Sequence, residues 1–249
     1  MQRLGSPRRR LPTVSAIGLA LAVLVAGGAP VTALTTQERG FQFDLGQRAD
    51  FVAQTNLVQC VGASMQMMVN MIGAASERDR TAATQLTLQR LARQWSPPRP
   101  DRMQRRGASV FGWATGLMIA GAGHYKVAAG STIDEALLIA ARAMRRTGRP
   151  AGLLMWRGRH AWVMSGFRAT ADPASPDARV TSVIVEDPLY PLDSRTWGAS
   201  PAPGSRLSVA QLARQFVPRR RHPIFAPELG GKYVVVIPYE VRLRSRHRN

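Results

Sequence analysis

Cysteine is almost absent from this chain of 249 residues: Cys60 is the only one. A single cysteine excludes a disulfide within the chain, and the lack of any cysteine near the N-terminal apolar run excludes a lipoprotein leader. Lysine is nearly missing as well, at Lys126 and Lys232 only, so the positive charge is carried by arginine. Acids are scarce, 15 against 34 basic residues, which leaves a net charge of +19. Aromatics amount to 6%. Scattered basic residues with so few aromatics, and without a recognised nucleic-acid-binding motif, argue against nucleic acid as a partner. The same charge suits anionic cell-envelope polymers or lipid head groups, or is simply a solvated arginine-rich surface. What is plentiful is apolar content, at 45%, enough for a sizeable core in one domain or two.

The long apolar run AIGLALAVLVAGG lies close to the N-terminus, behind Arg3, Arg8, Arg9 and Arg10. Gly27, Gly28 and Pro30 break it, and Val31-Thr32-Ala33 offers the small residues that a signal peptidase reads. Residues 1–33 therefore read as a signal peptide cleaved after Ala33, with an uncleaved membrane anchor as the alternative and a twin-arginine route open beside the general one. The expected location is secreted or associated with the cell envelope. Cleavage would remove four arginines and no acid, taking the charge from +19 to +15. Residues 34–241 are the expected domain, and RLRSRHRN, residues 242–249, a basic tail.

Met65, Met68, Val69 and Ile72 recur at helical spacing and predict a helix from Cys60 to about Ile72, its methionines filling core gaps rather than holding a metal. Two more helices are expected over Thr81 to Trp95 and Ser109 to Ile119, separated by the loop SPPRPDRMQRRG. In STIDEALLIAARAMRRTGRP, Ser131 is the expected cap, Asp134 and Glu135 suit the first turn, Arg145 and Arg146 the last, and Gly148 and Pro150 end the helix. Strand-length apolar runs follow at Ala151 to Trp156, His160 to Phe167 and Val180 to Asp187, with a further strand in KYVVVIPYEV and a short helix from Ser208. The predicted class is α+β, a helical half packed on an antiparallel sheet half.

A lone thiol in an exported chain is either an intermolecular bridge, a buried structural residue or a free nucleophile. At a helix N-terminus, Cys60 would have its thiolate favoured by backbone N–H groups, with Gly62 and Ala63 expected to leave room for a substrate. Gln54, six residues earlier, has an amide suited to holding an oxyanion, with Gln59 as a competitor. His160 opens a strand after the turn WRGR and is the candidate general base; His124 is its rival, and His222 and His247 lie in a basic loop and the tail. Asp187 closes the next strand, where it would orient the imidazole, while Glu186 points to the opposite face by alternation. Taken one by one these are, respectively, a core cysteine, a surface glutamine, a structural histidine and a turn aspartate. No cofactor and no metal site is read from the sequence.

With QTNLVQCVGAS opening a helix, GRPAGLLMWRGRHAWVMSGF and then VIVEDPLYP, the order Gln, Cys, His, Asp resembles the papain superfamily of cysteine peptidases, nearest its bacteriocin-processing branch, over about Gln47 to Pro191. The resemblance implies a papain-like fold, a peptide or protein substrate, Cys60 as nucleophile, His160 as base, Asp187 as the orienting residue and Gln54 as the oxyanion donor. Departures are Val61, where such enzymes usually carry an aromatic, the short stretch before Gln59, and a region after Asp187 with no counterpart. Two other readings keep the fold: an amidase or transpeptidase acting on cell-wall cross-links, and a binding module whose site has drifted. Loops Trp95 to Gly107 and Leu189 to Pro203 are the expected cleft walls.

Overall fold

The computed structural model describes residues 40–98 and 107–240, all within the unit that spans Glu38–Asn249. The predicted signal peptide, the basic tail and the middle of the arginine-rich loop, 99–106, lie outside the described residues. Among the described residues no helix is long and apolar enough to cross a membrane.

The first portion supplies β1 (Phe41–Asp44), α1 (Cys60–Ile72), α2 (Ala82–Gln94), α3 (Val110–Ile119) and β2 (Tyr125–Gly130). The second supplies α4 (Ile133–Thr147), β3 (Ala151–Met155), β4 (His160–Ala169), β5 (Val180–Glu186), β6 (Ser205–Ser208), α5 (Val209–Leu212) and β7 (Tyr233–Pro238). Thr81 and Ser109 cap α2 and α3 by accepting the N–H of Thr84 and Gly112, which is why those helices start where the sequence suggests. At α4 the cap is Thr132, not Ser131. Thr132 Oγ1 accepts the Glu135 N–H at 3.1 Å, and the Glu135 carboxylate in turn accepts the Ser131 N–H at 2.7 Å, so the reciprocal pair sits one residue later than expected. Gly148 ends α4 in the left-handed conformation, φ 66°, which only glycine adopts without cost.

All seven strands join one antiparallel sheet in the order β2-β7-β3-β4-β5-β6. β1 pairs with β4 over Gly166 to Ala169, on the edge that β3 occupies from His160 to Met164. The class is α+β, as expected, but the chain does not divide into a helical half and a sheet half. β1 and β2 come from the first portion, and α4 covers the sheet face opposite α1, α2 and α3. Two cores result, one on each face. On β4, Trp162 and Met164 enter the core under α4, while Ala161 and Val163 enter the core under the three other helices. A strand buried on both faces reads as a continuous apolar run, which is what HAWVMSGF is. Buried Ala136, Ala140, Ala141 and Ala143 let α4 lie close on the sheet.

Candidate active site

Cys60 is the first residue of α1, and one turn later Ser64 donates its hydroxyl to the carbonyl of Ala161 at 3.2 Å. Residues four apart share a helix face, so anchoring Ser64 beside His160 brings the cysteine to the start of β4. Two glutamines of α2 hold the segment that leads into this helix. Gln85 accepts the Thr55 N–H at 2.8 Å and donates to Ala53 at 2.9 Å; Gln89 accepts the Gly62 N–H at 2.8 Å and donates to Val58 at 3.0 Å. Nothing in the sequence pattern singled out this clamp, because glutamines on a helix usually face water. Gly62 and Ala63 do not open the cleft, contrary to expectation. Both are buried, and a Cβ on Gly62 would lie 2.7 Å from the Gln85 carbonyl oxygen, so the glycine is there to let α1 approach α2.

β4 and β5 place the other two groups. Their register puts Val163 opposite Glu186, so Asp187 continues to the level of Trp162 and shares a face with His160, two residues away. His160 Nε2 lies 2.7 Å from Asp187 Oδ1, and Oδ1 also accepts the Leu189 N–H at 2.8 Å. With Nε2 taken, Nδ1 is the ring nitrogen left for the thiol. Burial pushes the imidazole toward its neutral form, but the hydrogen bond to Asp187, the hydrogen bond to Cys60 and the charges of both raise its pKa to about 9. Glu186, by contrast, faces Ser165 and the Gly204 N–H, as strand alternation predicts.

The turn between β3 and β4 carries a feature the sequence reading missed. Trp156 and Arg157 both adopt left-handed backbone, φ 56° and 57°, ahead of Gly158 at 97°. That conformation costs roughly 1 kcal/mol at each non-glycine residue. It lays the Trp156 ring on the His160 imidazole, centroids 4.0 Å apart and planes 20° from parallel. Trp156 Nε1 donates to Gln215 Oε1 at 2.7 Å, and Trp197 stacks beyond it at 6.4 Å. The region after Asp187 thus serves to seat this tryptophan. The four-residue turn WRGR ahead of a histidine was the available signal.

Gln54 lies in the same neighbourhood without touching the thiol. Its backbone N–H donates to Pro188 at 2.7 Å, next to Asp187, and its side-chain Nε2 donates to the Asn56 carbonyl at 2.9 Å. An amide nitrogen has two hydrogens, so one remains uncommitted. Gln59 is occupied with the Thr55 hydroxyl. Of the rival histidines, His124 packs on Tyr239 and His222 Nδ1 accepts the Ile224 and Phe225 N–H groups, so neither serves the cysteine. His247 lies outside the described residues.

A cleft of about 1010 Å³ opens beside Cys60 and His160, walled by Leu57, Val58, Val61, Trp113 and the ends of the 95–107 loop. A smaller hollow of about 310 Å³ shares Leu57, Arg159 and His160 with it and has Gln54, Trp156, Leu189 and Leu192 around it. Of the expected wall loops, Ser96 to Pro98 and Gly107 line the larger cleft and Leu189 and Leu192 to Ser194 the smaller hollow, and Val61 contributes to the larger cleft. Among the described residues no group of three or more His, Cys, Asp or Glu side chains is arranged to hold a metal ion. No protein-family model matches this chain, and no curated protein matches it.

Proposed function

We propose that this protein is an exported thiol hydrolase of papain-like fold that cleaves amide bonds of peptides, with Cys60 as nucleophile, His160 as general base and acid, and Asp187 as the residue that orients the imidazole. The observation that carries the reading is the His160–Asp187 contact at 2.7 Å in a buried setting, with Cys60 and His160 lining one open cleft. A histidine kept protonated to about pH 9 has a proton ready for the leaving amine over the neutral range.

In the reaction the Cys60 sulfur adds to the substrate carbonyl carbon, and the carbonyl oxygen becomes an oxyanion. The free N–H of the Gln54 amide and the Cys60 backbone N–H are the donors available to hold it, since the Gly62 and Ala63 N–H groups are already bonded. As the C–N bond breaks, His160 gives its proton to the leaving amine. Water, deprotonated by His160, then attacks the thioester and restores the thiol. Trp156 shields the His160–Asp187 pair, keeping its hydrogen bond out of competing water.

An open cleft in contact with the thiol favours an enzyme over a drifted binding module, whose site would be filled or its cysteine remote from the histidine. Treating the purified chain at neutral pH with a peptidyl vinyl sulfone tests the reading: a covalent adduct on the parent and none on Cys60→Ala supports it. An unlabelled parent overturns it.

A further inference from the structure

The cleft in front of Cys60 carries charge of one sign. Its described walls hold three guanidinium groups, Arg90 and Arg93 from α2 and Arg159 from the turn before His160, and no carboxylate. Arg90 and Arg93 stand three apart and so share one helix face. Neither they nor Arg159 form an ion pair with a described acid: the arginine ion pairs there are Arg78 with Asp50 and Arg145 with Asp172. Arginines that structure a fold are usually spent on carboxylates or carbonyls, as Arg142 and Arg219 are here. These three are instead exposed around a floor of Leu57, Val58, Val110 and Trp113.

The two hollows that His160 lines differ in charge. The smaller one sets Asp193 against Arg159, which both share, whereas the larger carries three arginines and no described carboxylate. Which side takes which half of a substrate follows from the chemistry. The acyl half becomes bonded to the Cys60 sulfur, so it occupies the cleft that Cys60 lines; His160 lines both hollows, which leaves the one without Cys60 for the leaving amine.

We propose that the cleft selects substrates whose acyl half is anionic, peptide segments with acidic side chains shortly before the scissile bond, bound by Arg90 and Arg93 on one wall and Arg159 next to the imidazole. This rests on the hydrolase reading above. Low-dielectric apolar walls strengthen such contacts relative to open surface, and a cluster of three like charges without internal partners concentrates the attraction. The arrangement also disfavours basic substrates through like-charge contact.

The test uses the full chain and three probes, the vinyl sulfones of acetyl-Glu-Glu-Gly, acetyl-Gln-Gln-Gly and acetyl-Lys-Lys-Gly. In each, the thiolate adds to the alkene carbon β to the sulfone, which stands where the scissile carbonyl carbon would, and the carbon α to the sulfone takes a proton, so nothing leaves and no oxidant is needed. The Glu-Glu probe is expected to label Cys60 about tenfold faster than Gln-Gln at low salt, with Lys-Lys slower still and the ratio shrinking as salt rises. In the double variant Arg90→Glu with Arg93→Glu, the order of the Glu-Glu and Lys-Lys rates within that one protein reverses. Equal rates for all three probes on the parent, or an unchanged order in the variant, overturn the anionic specificity while leaving the hydrolase reading intact. Failure of every probe to label the parent overturns both.

Discussion

His160 Nε2 sits 2.7 Å from Asp187 Oδ1 with the two side chains 4% and 0% exposed, an imidazole and a carboxylate sealed together at the ends of neighbouring strands. The carboxylate's other oxygen, Oδ2, is buried with no partner, so all of its bonding runs through Oδ1, to His160 and to the Leu189 N–H. Asparagine can reproduce both bonds with its single oxygen. Asp187→Asn is therefore expected to keep its thermal unfolding midpoint within a few degrees and much of its turnover, with the alkaline limit of the pH–rate curve displaced downward because the carboxylate charge is gone. Asp187→Ala strands the Leu189 N–H and the imidazole, at about 1–3 kcal/mol for each buried unpaired group, and turnover should drop roughly a hundredfold or more. Turnover of Asp187→Ala equal to the parent's would remove Asp187 from the mechanism.

The raised pKa of His160 has a readout in the pH dependence of hydrolysis. With His160 protonated to about 9, hydrolysis should fall as pH rises through about 9, where the proton for the leaving amine is lost. The stability contribution has the same sense. The folded value of about 9 lies above the 6.5 of the unfolded chain, so the contribution is complete below 6.5 and vanishes as pH rises through 9. A hydrolysis rate that stays level as pH rises through 9 would show that His160 does not supply that proton.

Trp156→Ala tests whether the left-handed turn serves the histidine. Its loss removes a parallel ring contact with His160 and a hydrogen bond to Gln215, about 0.5–1.5 kcal/mol for the stack on top of lost burial. Water then reaches the Nε2–Asp187 bond and weakens it. The alkaline limit of the pH–rate curve for hydrolysis, near 9 in the parent, should move toward lower pH, and a Trp156→Phe variant, which keeps a ring in place, should restore most of it. An unmoved limit would leave Trp156 with a structural role only.

The elements around this site were legible to different degrees, for physical reasons that individual residues illustrate. The helix from Cys60 to Ile72 and the strands opening at Ala151 and His160 declare themselves because apolar spacing and caps agree there. β1 and β6 were not found: each is four residues long with alternating half-exposed positions, and each is a strand only because β4 or β5 offers an edge. That α4 covers the second sheet face was also hidden, since continuous apolar runs do not tell which helix covers which side. Cys60, His160 and Asp187 could be singled out because each combines a reactive group with an element terminus. The Gln85 and Gln89 clamp could not, because its meaning lies wholly in contacts with a distant loop. Gln54 was placed by its spacing from Cys60, yet its amide spends one hydrogen on Asn56, a local bond that spacing does not reveal.

Gly62→Ala probes the seat of the cysteine helix. The added methyl would meet the Gln85 carbonyl oxygen at 2.7 Å and Gln89 Cβ at 2.8 Å, and backbone cannot swing aside as a side-chain tip does. Overpacking of this kind costs about 1–3 kcal/mol. Here it should also tilt the start of α1 away from β4, so labelling of Cys60 should slow more than the loss of stability alone explains, measured well below the unfolding midpoint. Gly148→Ala, in open space but at φ 66°, should cost about 1 kcal/mol and leave labelling unchanged.

Glu186, one residue before Asp187, is buried at 2% exposure on the other side of the strand. Burial raises its pKa from 4.5 to about 7 against the opposing bonds from Gly204 and Ser165, with the charges of Asp50 and Asp44 adding to the rise. The sign follows from proton counts: between about 4.5 and 7 the folded chain holds a proton that the unfolded chain has released, so stability falls as pH climbs through that window. Above it the full cost applies, on the order of 3 kcal/mol from the shift itself. Glu186→Gln removes that titration, its oxygen accepting the Gly204 N–H and its nitrogen donating to Ser165. The variant's thermal midpoint should therefore pull ahead of the parent's as pH is raised from about 5 to 8, by several degrees at the upper end. If the gap between the two stays constant across that range, Glu186 ionises freely despite its burial, and the strand end that carries Asp187 is looser than its hydrogen bonds suggest.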